Sequence, residues 1–308
     1  VSGVLSGFFI VWALIGVGWL TARTGVLGPH ARYVLNRTTF FLASPALVLV
    51  GLLQSEPTEV LSTPMLVAAL AGLSTGAVLL VALRVLTSRR GVDLVVAAIS
   101  GSVVNGANMG FPIALYVLGD ISHAIPVILF QQAVYTPLYL FVLHSLTQER
   151  RPGPAGVART ILANPTIIAS AVGLALSAAG VQLPEVALQP VRSLADMAIP
   201  AMLLAYGLSL HGSRPFARDD GYRGLIAASS TTKLVVMPLI ALGIGAALGL
   251  RGQDLYEVVV MAALPTAQNV FVAAARYEAA ENLARDTVLV TTVGTVVVLM
   301  VLAVALGA

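Results

Sequence analysis

Ten stretches of about twenty apolar residues follow one another along this chain, at roughly 1–20, 33–53, 64–86, 94–118, 122–146, 160–179, 187–210, 224–249, 255–276 and 286–307. A helix rises about 1.5 Å per residue, so each stretch is long enough to cross a hydrocarbon core of about 30 Å. Helices are required there, because lipid offers no partner to an unpaired backbone N–H or C=O. Of the 308 residues 58% are hydrophobic and only 10% charged, against roughly a quarter charged in a soluble domain. Too few polar groups remain to cover a water-facing surface. The expected fold class is an all-α integral membrane protein of ten transmembrane helices, with Val1–Leu20 read as the first span rather than a cleaved signal.

The basic residues are sixteen arginines and one lysine. Fourteen of the seventeen lie in the connections after spans 1, 3, 5, 7 and 9, and two, Arg192 and Arg251, near the even-numbered connections. That asymmetry predicts odd-numbered connections in the cytoplasm and both termini outside, with the chain in the cytoplasmic (inner) membrane. No Lys/Arg block forms a nucleic-acid patch, and the absence of cysteine removes thiol catalysis and thiolate metal sites.

The sequence repeats itself weakly. Asp93 and Asn108 of span 4 align with Asp254 and Asn269 of span 9 without a gap. Pro45-Ala46-Leu47-Val48-Leu49-Val50-Gly51 of span 2 matches Pro200 to Gly207 of span 7 with one residue inserted. Five spans is an odd number, so a second copy enters the membrane from the opposite side. The expectation is two inverted five-helix repeats, residues 1–150 and 151–308, with spans 4 and 9 broken and crossing.

Span 4 reads Asn105-Gly106-Ala107-Asn108-Met109-Gly110-Phe111-Pro112, and span 9 has Leu264-Pro265-Thr266-Ala267-Gln268-Asn269 at the matching depth. Gly106, Gly110, Pro112 and Pro265 are expected to break these helices. Gly106-x-x-x-Gly110 taken alone fits close helix packing equally well. Half-helix N-termini carry partial positive charge and suit an anion. Asn105, Asn108, Gln268 and Asn269 then become candidate substrate-binding residues. Gln131 and Tyr135 of span 5, four residues apart on one helical face, are candidates too, or else interhelical glue. Asp196 and Lys233 are the charges placed deep in the membrane, read as a coupling or switch pair, or as a static ion pair or snorkelling groups.

These segments resemble the auxin efflux carrier family. Asn105 to Pro112 is similar to its first signature, Leu264 to Val272 with Tyr277 to its second, and Ala198 to Leu210 to its pattern in span 7. The likeness covers nearly the whole chain and implies the crossed-helix fold of bile-acid symporters and sodium/proton antiporters. It further implies a scaffold of spans 1, 2, 6 and 7, often dimeric, and a transport domain of spans 3–5 and 8–10 moving elevator-fashion. The implied substrate is a small organic anion such as malate, malonate or an auxin-like acid. On that likeness Asn105, Asn108, Gln268 and Asn269 would hold its carboxylate, while Gln131 and Tyr135 would contact the rest. A pair between Asp196 on the scaffold and Lys233 on the transport domain would form in one conformation and break in the other. Coupling to a proton, to sodium or to no ion stays open, the scarcity of acids near the crossing leaning toward a proton or uniport, and neither cofactor nor metal is expected.

No Ser–His dyad, paired membrane aspartates or H-E-x-x-H helix is present, so no enzyme is expected. The competing readings are an anion sensor, a channel, or a sodium-coupled symporter of the bile-acid type.

Overall fold

The computed structural model describes residues 2–54, 63–147, 162–181, 183–212 and 221–306, with positions 156 and 159. The boundary drawn at 150/151, and Arg150, Arg151, Arg214 and Arg218, lie outside these residues. Those described are helical, and the β-pairing among them is one isolated antiparallel bridge, Val104 to Thr266.

In chain order the helices are α1 (Ser2–Thr24), α2 (Ala31–Leu53), α3 (Thr63–Leu86), α4 (Val92–Ser100), α5 (Asn108–Leu118) and α6 (Ile121–Thr147). They continue as α7 (Pro165–Ala178), α8 (Glu185–Leu210), α9 (Arg223–Ala247), α10 (Gly252–Ala262), α11 (Gln268–Arg276) and α12 (Glu281–Ala305). Six of them, α2, α3, α6, α8, α9 and α12, are long and apolar enough to cross a membrane. Large apolar side chains stand outward on α3 (Val78, Val81, Val85) and α12 (Val293, Val297, Val301, Val304). Such continuous apolar faces suit lipid rather than water. This is a multi-pass, all-helical membrane protein.

The packing falls into two groups. Helices α1, α2, α7 and α8 lie against one another, and α3, α4, α6, α9, α10, α11 and α12 do the same. Within the first group α1 and α8 meet backbone to backbone at Gly18 and Gly207. A Cβ on Gly207 would lie inside the radius of the Ile15 carbonyl oxygen, and one on Gly18 inside that of Leu204. Between the groups, Tyr206 of α8 bonds Thr292 of α12, and Asn164 at the start of α7 donates to Gln132 of α6 at 3.0 Å.

Span 4 is α4 plus α5, and span 9 is α10 plus α11, with breaks at 101–105 and 263–267. Pro265 sits in its break. Pro112 does not: it lies within α5, buried, about two turns beyond the break. The turn before it, Gly106–Gly110, is π-helical, and such local adjustments let a helix inside a membrane tolerate a proline. Gly106 supports a close approach, since a Cβ there would meet Ile128 Cγ1 at 3.1 Å and Gln131 Nε2 at 3.2 Å. Gly110 needs no such approach, its nearest neighbour being Met261 Cε at 3.4 Å.

The candidate site at the crossing of two broken helices

The two breaks cross and close on each other through the backbone. Asn105 N–H donates to Pro265 O at 2.7 Å, and Ala267 N–H donates to Val103 O at 3.1 Å. Thr266 is fully buried and fixes the crossing from both sides. Its Oγ1 donates to Ser100 O at 2.6 Å and its N–H donates to Thr291 Oγ1 at 3.1 Å. Backbone groups left open by broken helices must be paired this way inside a membrane.

Around the crossing lies a small pocket lined by Val103, Val104, Asn105, Asn108, Ile128, Gln131, Gln132, Thr136, Tyr139, Ala267 and Asn269. Its free volume is about 20 Å³, room for about one water. Asn105 caps the following turn, its Oδ1 accepting from Asn108 N–H at 3.2 Å. Its Nδ2 is buried with no protein partner, a donor whose unmet bond costs about 1–3 kcal/mol. Ala267, the N-cap of α11, has no side chain able to accept, and Val270 N–H is taken by Ala267 O at 3.1 Å, so what the start of that helix can offer the pocket is the amides of Gln268 and Asn269. The pocket therefore presents neutral donors and a helix N-terminus, an arrangement suited to a carboxylate.

Of the residues expected at the site, Asn105, Asn108, Gln131 and Asn269 come together here. Tyr135 does not. Its hydroxyl hydrogen-bonds Ser102 Oγ at 2.6 Å and donates to Gly72 O at 3.3 Å, on the α3 side. Gln268 turns away to donate to Ser209 Oγ of α8 at 3.1 Å. Three more polar residues line the pocket: Gln132, visible in the sequence as part of the polar cluster of span 5 but not assigned to the site, and Thr136 and Tyr139, which were missed. They recur at spacings of four and three, the signal of one helical face.

Tyr135→Phe is accordingly expected to lower stability by about 1–2 kcal/mol, the worth of one or two hydrogen bonds, without changing the apparent affinity for substrate. Thermal unfolding in detergent beside a transport KM checks both halves; a weakened KM at unchanged stability would return Tyr135 to the binding site.

Asp196 and Lys233 are held apart in this structure. Asp196 is exposed, at a break in α8 before Met197. Lys233 is fully buried in α9, where Nζ donates to Ala262 O at 2.7 Å and to Met237 Sδ at 3.2 Å. The two sit on helices of different groups, α8 packing on α1 and α2, α9 on α3, α10 and α12. The deeply buried acid is instead Asp286, 2% exposed near the start of α12 and bonded by Arg285 Nε at 2.8 Å. The apolar run is bounded at 286, which puts Arg285 in a connection and Asp286 at the run's first position, whereas α12 begins at Glu281, about a turn and a half earlier.

A second, larger cavity of about 490 Å³ lies between α3, α6, α9 and α10. Its walls are mostly apolar, with Ser102, Gln131 and Tyr135 among them, and Asp120, His123, Asp254 and Glu257 also line it. His123 Nδ1 and Glu257 Oε2 are 3.0 Å apart. Gln131 and Val104 line both cavities, with Val104 N–H donating to Gln131 Oε1 at 2.9 Å, so they stand as the partition.

Comparison with known proteins sets the chain among membrane transporters. A family model described as "Membrane transport protein" matches residues 4–153 and 155–303. A protein of Rhizobium meliloti (strain 1021) named "Putative malonate transporter" is 29% identical over 300 residues, covering 95% of this chain and 91% of the relative. With both halves of the chain matched and two broken helices crossing at its centre, the chain belongs to the membrane transport protein family of auxin-efflux-carrier-like transporters.

Proposed function

We propose that this protein is a secondary transporter that carries a small organic anion, a dicarboxylate of malonate's size or an auxin-like acid, by alternating access at the crossing. The observation that carries the reading is the pocket itself. Asn105, Asn108 and Asn269, from two helices broken at matching places, gather donors around a space with no fixed positive side chain among its lining residues; it holds about one water in this conformation, so the helix groups part to admit the anion. Such a site is strong enough to orient a carboxylate and weak enough to release it. The relative named for malonate supports the choice of probe.

On this reading the chain is two inverted repeats of five spans in the cytoplasmic membrane, with both termini outside. The matching offsets of Asn108 with Asn269 and of Asp93 with Asp254 support the repeat. The first helix group serves as scaffold, in a homodimer, and the second moves against it as an elevator. Bonds joining the groups, Tyr206–Thr292, Gln268–Ser209 and Asn164–Gln132, would break and reform in each cycle.

Counterflow in proteoliposomes tests the function. Vesicles loaded with unlabelled malonate are expected to accumulate labelled malonate transiently and saturably, and malate and indole-3-acetate rank the substrate class. Binding without counterflow would make the protein a sensor, and flux that does not saturate would make it a channel.

A further inference from the structure

The larger cavity is placed behind the crossing, and its chemistry is unlike that of the anion pocket. Three carboxylates, Asp120, Asp254 and Glu257, line it against one imidazole, His123. A concave surface carrying that excess of negative charge repels anions and attracts cations. The substrate proposed above does not enter through it. The cavity does lead toward Lys233, because Met237 and Ala262, the two groups bonded by its Nζ, are both part of the cavity wall.

Lys233 is fully buried, and among the described residues no carboxylate lies within ion-pair distance of it. Its acceptor, the carbonyl of Ala262, ends α10, where aligned peptide dipoles leave a partial negative charge. The titratable groups on elements packed against Lys233 are Arg84 on α3, Asp93 on α4, Asp254, Tyr256 and Glu257 on α10, and Glu281, Arg285 and Asp286 on α12, with Arg223 opening its own helix. Several are already engaged: Asp93 with Arg89, Glu257 with His123, Asp286 with Arg285. The amine can also lose a proton without losing its hydrogen bond, since a neutral nitrogen still donates to Ala262 O.

We infer that Lys233 is the proton-binding group that couples this carrier to the proton gradient, and that the acid-lined cavity is its water access. The inference rests on the anion-carrier reading and adds to it the coupling ion and its route. In the step itself one N–H bond of the ammonium breaks, the proton passes to water in the cavity, and the neutral amine stays on Ala262 O. An anion on the far side of the Gln131–Val104 partition then loses a positive neighbour. Linkage makes the effect reciprocal: bound anion favours the protonated amine. The arginine asymmetry assigns the face carrying Asp120 and Asp254 to the outside, so the cavity is expected to fill from there.

The test uses the full-length protein in proteoliposomes with a pH-sensitive dye inside, beside K233M, which keeps side-chain volume but not charge. Wild type is expected to move protons with malonate. K233M is expected to exchange malonate at saturating concentration within about threefold of wild type, with its apparent affinity fixed at the weaker value that wild type shows at high pH, while malonate-linked proton movement disappears. The cysteine-free sequence gives a second, independent reading: A68C, on the cavity wall, reacts with a membrane-impermeant maleimide from one face of the membrane. Its modification is expected to block proton movement and spare exchange.

Absence of counterflow in wild type would overturn the carrier reading and the coupling with it. Counterflow without proton movement would overturn the coupling alone. K233M that still moves protons with malonate would remove Lys233 from the role. Should K233M not fold, A68C decides: modification with no effect on proton movement would sink the route and the proposal.

Discussion

Saturable anion uptake is expected to vanish when Asn108 and Asn269 are replaced together by alanine. Each amide can donate to a carboxylate, and a hydrogen bond to a charged group contributes about 1.5–3 kcal/mol. Losing two would weaken binding by about two to four orders of magnitude. The fold should survive, since Asn108 is half-buried and Asn269 exposed, and neither pairs the backbone of the crossing through its side chain. Labelled malonate uptake at a concentration that saturates the wild type reads the loss, and an unshifted melting curve shows that it arises at the site. Uptake with an unchanged KM in the double variant would move the binding site elsewhere.

Gly207→Val is expected to have the largest structural effect of any single change at the contact of α1 with α8. The new side chain would be driven into the Ile15 carbonyl of α1, which is backbone and cannot swing aside. Overpacking by a methylene against side chains costs about 1–3 kcal/mol; here the helices must part, and their interface is lost with them. Gly16→Val on the same helix α1 is the control, because a Cβ there meets nothing within 4 Å. The measurement is the yield and melting temperature of monodisperse protein in detergent. Equal stability for the two variants would show that α1 and α8 do not depend on their close approach.

The helical membrane class and the two helix interruptions were legible in the sequence, because apolar length and the Asn/Gly/Pro composition of 105–112 and 264–269 are local signals. The finer assignment of side chains was not. Gln131 and Tyr135, four apart, do share a face, and both line the larger cavity, yet only Gln131 also reaches the crossing pocket. Spacing tells which side chains stand together, not which of two adjoining cavities they serve. The turn between them, Gln131–Tyr135, is π-helical, and a π turn takes up an extra residue, so a wheel drawn at 3.6 residues per turn is only approximate across it. Similar turns occur at Thr39–Ala43, Gly106–Gly110, Ala114–Leu118 and Thr232–Val236, two of them carrying Asn108 and Lys233. Composition marks none of these turns reliably. The Asp196–Lys233 expectation concerns two conformations: the two residues stand on helices of different groups, as it requires, and in this one they are apart.

The backbone bonds that close the crossing also bear on how the chain is made. The amide of Asn105 finds its acceptor at Pro265, 160 residues further on. While the ribosome is still producing the intervening spans, that amide has no protein partner, and lipid can supply none. The first break must therefore stay wet, or sheltered by a chaperone, until the second arrives. Assembly ends at the crossing, and a chain halted after its first half holds an open polar wound at its centre, a mark by which quality control can tell it from the finished protein.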